Sequence, residues 1–129
     1  APMYYVGAAP LSQPETRAVN AFTLRHDFAL TISYHTQGEV IYWKFLDYNP
    51  AGSFEIARQF AAVSGYTAEE TPYASGFAGY KDWFIQTYNR PGYTIEAGYG
   101  MSPLPLRQFP AIYRDNVGIL VLGIALAAQ

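Results

Sequence analysis

The sequence predicts an α/β domain in which a mixed β-sheet is flanked by helices. Two β-rich apolar runs stand back to back, Phe28–Tyr34 (FALTISY) and Glu39–Phe45 (EVIYWKF), and a third short run follows at Tyr93–Ala97 (YTIEA). Helix-patterned segments separate them, giving the order helix, strand, strand, helix, helix, strand, helix. That interleaving lets helices cover the sheet faces. FALTISY is apolar enough to be read as a strand buried on both faces.

The elements follow in order. Residues 1–11 carry Pro and Gly and read as irregular. Ser12-Gln-Pro-Glu15 has capping-box spacing, with Pro14 suited to a first helical turn, so a helix is expected over about 13–26 with Ala18, Val19 and Phe22 inward. Asn49-Pro-Ala-Gly52 is a turn. Ser53 is expected to cap a helix reaching Ser64, with Phe54, Ala57, Phe60 and Ala61 inward and Gly65 as its left-handed stop. Thr67–Gly79 reads as a loop and Tyr80–Tyr88 as a helix. Leu106–Ala128 reads as a long terminal helix with breaks near Pro110 and Gly118.

With 129 residues and no visible repeat, the chain suits one domain, and no second domain is expected. Charged residues make up only 14%, against about 25% in ordinary soluble domains, which implies that part of the surface is covered by a partner chain or by further polypeptide. The net charge is −2 and no two Lys or Arg are adjacent, so nucleic-acid binding has no electrostatic footprint. The absence of cysteine excludes disulfides and thiolate metal ligands. APMYYVGAAP has neither a basic region nor a long apolar core and is not read as a signal peptide. Val117–Ala128, the longest apolar stretch at 12 residues, is read as a core helix rather than a membrane span.

Two polar residues interrupt this pattern. His35 ends FALTISY and Glu96 sits in the apolar strand YTIEA. Sites in α/β sheets gather beyond strand ends, and a carboxylate in an apolar strand costs several kcal/mol unless paired or metal-bound. An ion pair for Glu96 and a hydrogen-bonded structural role for His35 are the alternatives. His26, at an expected helix C-terminus, is read as structural.

Three segments, SYHTQGEVIYW (33–43), AGYKDWFI (78–85) and YTIEAGYG (93–100), resemble blocks of the zinc carboxypeptidase family, closest to its bacterial γ-D-glutamyl–diaminopimelate peptidases. APLSQPET and the Pro-Leu-Pro at 103–105 resemble the same branch, so the likeness runs from about residue 7 to 127. In that family a strand ends in a zinc-binding histidine followed by a small hydroxyl residue, which matches His35 and Thr36. The catalytic glutamate lies in a Thr-x-Glu motif, matched by Thr94-Ile95-Glu96, with an Asp-Trp pair 13 residues earlier, matched by Asp82-Trp83 counted from Trp83.

The resemblance implies a partial zinc-carboxypeptidase fold. Residues 1–129 would be the C-terminal portion of a peptidase catalytic domain, with zinc as cofactor and a peptidoglycan-derived peptide as substrate. Glu96 would be the general base and His35 one metal ligand. A loop tyrosine that covers substrate corresponds to Tyr73, or alternatively to Tyr80. Lys81 takes the position at the base of the pocket for the residue after the cleaved bond, where a cation favours a carboxylate-bearing side chain such as diaminopimelate.

The family's H-x-x-E zinc ligands have no counterpart here, because His26 and His35 are the only histidines and His26-Asp-Phe-Ala29 does not match. The 129 residues alone are therefore expected to be inactive, and the chain to be half of such a domain. Surface left open by the missing half is expected to drive homo-oligomerisation. A catalytically inactive binder of cell-wall peptides, or an assembly domain, is the competing reading.

Overall fold

The computed structural model describes residues 7–77 and 79–128. Four strands form one mixed sheet: β1 (Thr31–His35), β2 (Val40–Tyr42), β3 (Thr67–Glu69) and β4 (Gly92–Glu96). Their spatial order is β1-β4-β2-β3, with β1 parallel to β4, β4 antiparallel to β2, and β2 parallel to β3. The helices are α1 (Pro14–Leu24), α2 (Ser53–Ser64), α3 (Tyr80–Tyr88) and α4 (Phe109–Ala127).

Alternation along the strands sorts the sheet into two faces. Ile32, Ile41, Tyr93 and Ile95 point one way, and α2 and α4 cover them. Phe60 of α2 is fully buried and meets the Tyr93 ring edge-on at 5.0 Å, and the Tyr93 hydroxyl donates to the Ser53 carbonyl at 3.0 Å. Gly123 lets α4 approach the sheet, since a Cβ there would lie 3.0 Å from Ile32 Cδ1. The opposite face carries Ser33, His35, Thr94, Glu96 and Tyr42. Helix α3 lies against part of it, and α1 is tied to α3 by the 2.9 Å hydrogen bond between the Thr23 and Tyr80 hydroxyls.

Several local expectations are corrected. Strand β1 is not buried on both faces: only Thr31 is buried, because β1 lies at the sheet edge and has, among the described residues, a neighbour on one side only. The N-cap of α1 is Gln13 without a side-chain cap, Ser12 Oγ is buried with no partner, and Val19 and Phe22 are half-exposed. Gly52, not Ser53, precedes α2, and Phe54 is half-exposed against Trp43. Gly65 does stop α2 in a left-handed conformation, φ +80°, with its N–H donating to Ala61 O at 2.9 Å.

The expected loop 67–79 contains β3 and a 3₁₀ turn, Tyr73–Ser75. Three residues carry too little pattern to be read as a strand; β3 exists because β2 is there to pair with it. Gly7–Leu11 is irregular as expected, while residues 1–6 lie outside those described. Helix α4 runs unbroken past Gly118, with Pro110 in its first turn where a missing N–H is harmless. It packs on the core by one face only. Together with the 3₁₀ turn Leu106–Gln108 it forms 22 residues, in which an 18-residue window of mean hydropathy 1.4 is only 17% buried, so the helix is long and apolar enough to cross a membrane by length and composition. Asn116, Ile119 and Gly123 face inward, whereas Phe109, Tyr113, Leu120, Val121 and Ile124 are exposed.

Phe60 joins α2 to the sheet at the centre of the apolar cluster. Phe60→Ala is expected to lower unfolding stability by about 3–5 kcal/mol, read as a shift in urea midpoint with an unchanged slope.

Candidate active site

His35 and Glu96 are the last residues of β1 and β4, and the register of this parallel pair sets them directly opposite one another. Parallel neighbours lie about 4.8 Å apart and direct their side chains to the same face. The backbone locks the pairing beyond the strand ends: Ala97 N–H donates to His35 O at 2.8 Å, and Glu39 N–H to Glu96 O at 2.7 Å. The imidazole and the carboxylate thus share one sheet face at one strand terminus.

A cleft of about 450 Å³ opens over them. His35, Thr94, Glu96 and Tyr42 form its floor, Thr36 and Gln37 one rim, and Thr71, Ser75, Gly79, Lys81 and Asp82 the opposite wall. Burial raises the Glu96 carboxyl above its ordinary range, with His35 pulling partly the other way. A carboxylate so placed is a stronger proton acceptor than one in water. Burial raises the Tyr42 phenol too, helped by Glu69 and Glu96, so it stands in the cleft as a neutral hydrogen-bond donor.

Lys81 is 3% exposed. Its ammonium donates to Lys44 O at 3.0 Å, to Thr71 Oγ1 at 2.9 Å and to Asp82 Oδ1. All three N–H donors are committed and Asp82 offsets the charge. Burial pushes the Lys81 pKa down, while the hydrogen bond and charge of Asp82 oppose it. A substrate carboxylate can reach this ammonium only by replacing one of these partners.

The cleft therefore brings together His35, Glu96, Thr36 and Lys81, and leaves out both tyrosines. Tyr73, on the 3₁₀ turn, is 75% exposed and packs edge-on against Phe77 at 5.1 Å. The Tyr80 hydroxyl is engaged by Thr23, and its ring packs against Trp83 and Phe84. Sequence reading missed Tyr42, Thr71, Thr94 and Gln37 as cleft residues. Tyr42 reaches it through antiparallel pairing with Thr94, a contact across 52 residues with no local signature. Asp82 was visible as half of a motif, but its pairing with Lys81 was not.

The described residues do not make up a zinc site by themselves. Catalytic zinc takes three protein ligands and a water, whereas no three His, Cys, Asp or Glu side chains converge among the described residues. His35 offers one imidazole, with one carboxylate beside it.

Removing one partner of a buried ion pair leaves an uncompensated charge. Lys81→Met is expected to destabilise the protein by about 3–5 kcal/mol, and the double variant Lys81→Met/Asp82→Leu to recover most of that loss in chemical denaturation.

Comparison with known proteins agrees with this geometry. A family model described as zinc carboxypeptidase matches residues 3–118. The chain is 46% identical over 125 residues to gamma-D-glutamyl-L-diamino acid endopeptidase 1 of Lysinibacillus sphaericus, covering 97% of this chain and 31% of that protein. It is 37% identical to the uncharacterized protein YqgT of Bacillus subtilis (strain 168), covering 93% and 32%. The chain thus spans about a third of the length of these relatives. Its fold superposes on bovine thrombin-activatable fibrinolysis inhibitor, from a complex with tick carboxypeptidase inhibitor, at TM-score 0.78 and 18% identity, covering 96% of this chain and 48% of that one. It superposes on carboxypeptidase A of Helicoverpa armigera at TM-score 0.73 and 18% identity, covering 95% and 36%. With a family model spanning nearly the whole chain and the strand-end histidine and glutamate side by side, the chain belongs to the zinc carboxypeptidase family.

Proposed function

We propose that this chain is the C-terminal part of a metallopeptidase domain that hydrolyses γ-D-glutamyl–diaminopimelate bonds in peptidoglycan peptides, with Glu96 as general base and His35 as one zinc ligand. The register that pairs His35 with Glu96 carries this reading. The name of the Lysinibacillus relative supports the substrate class. The two further zinc ligands that catalysis requires would come from polypeptide beyond these 129 residues. Bound zinc would supply Lewis acidity to the water and to the scissile carbonyl.

The residues of this chain then have defined tasks. Glu96 accepts a proton from the attacking water and hands it to the departing amine. His35 holds a neutral imidazole nitrogen at the strand end. The raised basicity of Glu96 suits it to the transfer. Thr36 and Tyr42 offer hydroxyls to the substrate backbone. Lys81 selects a substrate side chain ending in a carboxylate, exchanging Asp82 or Thr71 for it. Tyr73 could reach the cleft only by movement of its loop.

Among the described residues β1 is an edge strand, and this edge and the exposed apolar stripe of α4 support association with the remainder of the domain or with a second copy. The segment by itself is expected to sediment as an oligomer across a dilution series; a monomer at every concentration would count against this.

In the complete protein, Glu96→Gln is expected to lower kcat on a γ-D-glutamyl–diaminopimelate peptide by about 10²–10⁴-fold with zinc content retained, whereas His35→Ala should lose the metal. Near-wild-type turnover by Glu96→Gln would end the peptidase reading. The same variant carries a stability signature. A carboxyl with a raised folded-state pKa binds more protons folded than unfolded, so its contribution is full below about pH 4 and is lost as pH rises through the folded pKa. In the metal-free 129-residue chain, Glu96→Gln should therefore match wild type in unfolding stability in acid and exceed it at neutral pH.

A further inference from the structure

The backbone turn behind Glu96 is held by two side chains that never reach the cleft. Glu96 and Ala97 are fixed by the neighbouring strands, but the chain then reverses at Gly98, φ +74°, where any other residue would be strained and would have to displace its neighbours: a Cβ would stand 2.6 Å from Leu104 Cδ1 and 2.7 Å from Ile112 Cδ1. Gly98 is buried, so its N–H needs a partner. The Tyr66 hydroxyl accepts it at 3.3 Å, and Gly38 N–H donates to the Gly98 carbonyl at 2.8 Å.

The hydroxyl is in turn set by Asn116 of α4, whose Nδ2 donates to it at 2.9 Å and to Ile112 O at 2.8 Å. Tyr66 and Asn116 are each 5% exposed. Turning the amide over would offer Oδ1, which is buried without a partner as placed, to the phenol but would break the bond to Ile112 O. Phe and Leu would fill this space without polar atoms, in a cluster that already contains Ile95, Ala97 and Ile119. The polar pair adds an oriented acceptor for the residue two places after the carboxylate.

We propose that Tyr66 and Asn116 are positioning residues for Glu96, acting as one relay from helix α4 through the phenol to the turn that ends β4. The proposal rests on the peptidase reading above. A carboxylate that takes a proton from water loses rate steeply when displaced by a fraction of an ångström, so a loosened turn should affect the chemical step more than substrate binding.

The test uses the complete protein with a γ-D-glutamyl–diaminopimelate peptide and the variants Tyr66→Phe, Asn116→Leu and their combination. Each single variant is expected to lower kcat about tenfold with KM within about twofold of wild type, and the double variant to be no worse than the poorer single one. Amide exchange is read alongside, and should quicken at Gly98–Gly100 while β1 keeps its protection. Unaltered exchange at that turn in Tyr66→Phe, multiplicative losses in the double variant, or a loss confined to KM overturns the positioning role while leaving the peptidase reading intact. A wild-type protein that binds zinc yet leaves the peptide uncut overturns the peptidase reading, and the positioning role with it.

Discussion

Everything at the candidate site depends on the parallel ladder between β1 and β4. One register step would turn either His35 or Glu96 to the other face of the sheet, into the apolar layer beneath α2 and α4, because side chains alternate along a strand. The register is held from several sides. Tyr93 and Ile95 must lie under α2, the Glu96 and Ala97 backbones are bonded to β2 and β1, and the Gly98 turn is clamped from below. A well-packed apolar face thus dictates where two polar groups emerge on the opposite one.

The polar face works under a different constraint. It opens a cleft into which charges must be brought without being left unpaired. Lys81 is bonded to Asp82, Thr71 and the Lys44 carbonyl, so in this state that wall carries no unpaired charge. Burial leaves the Glu96 carboxyl more basic than one in water, with His35 opposing that shift only in part. The cleft keeps its unsatisfied electrostatic demand at one place, between the imidazole and the carboxylate. A divalent ion held by further ligands would meet that demand.

Among the described residues, one edge of the sheet and one face of α4 are left uncovered. Strand β1 pairs on one side only among these residues, and the α4 stripe from Phe109 to Ile124 presents large apolar groups to solvent. The scarcity of charged residues is the compositional counterpart of these surfaces.

By itself the sequence determined the α/β class, helices α2 and α3 almost to the residue, and His35 and Glu96 as the anomalies worth following. Those features are local: apolar runs, a left-handed glycine stop, and polar residues where a strand should have none. Only the tertiary structure decided that β1 is an edge strand, that β3 exists, that Tyr42 joins the cleft while Tyr73 and Tyr80 do not, and that Lys81 is already paired. Each of these depends on contacts between segments far apart in the chain. Strand pairing and side-chain saturation are properties of the neighbour, and no stretch of sequence names its neighbour.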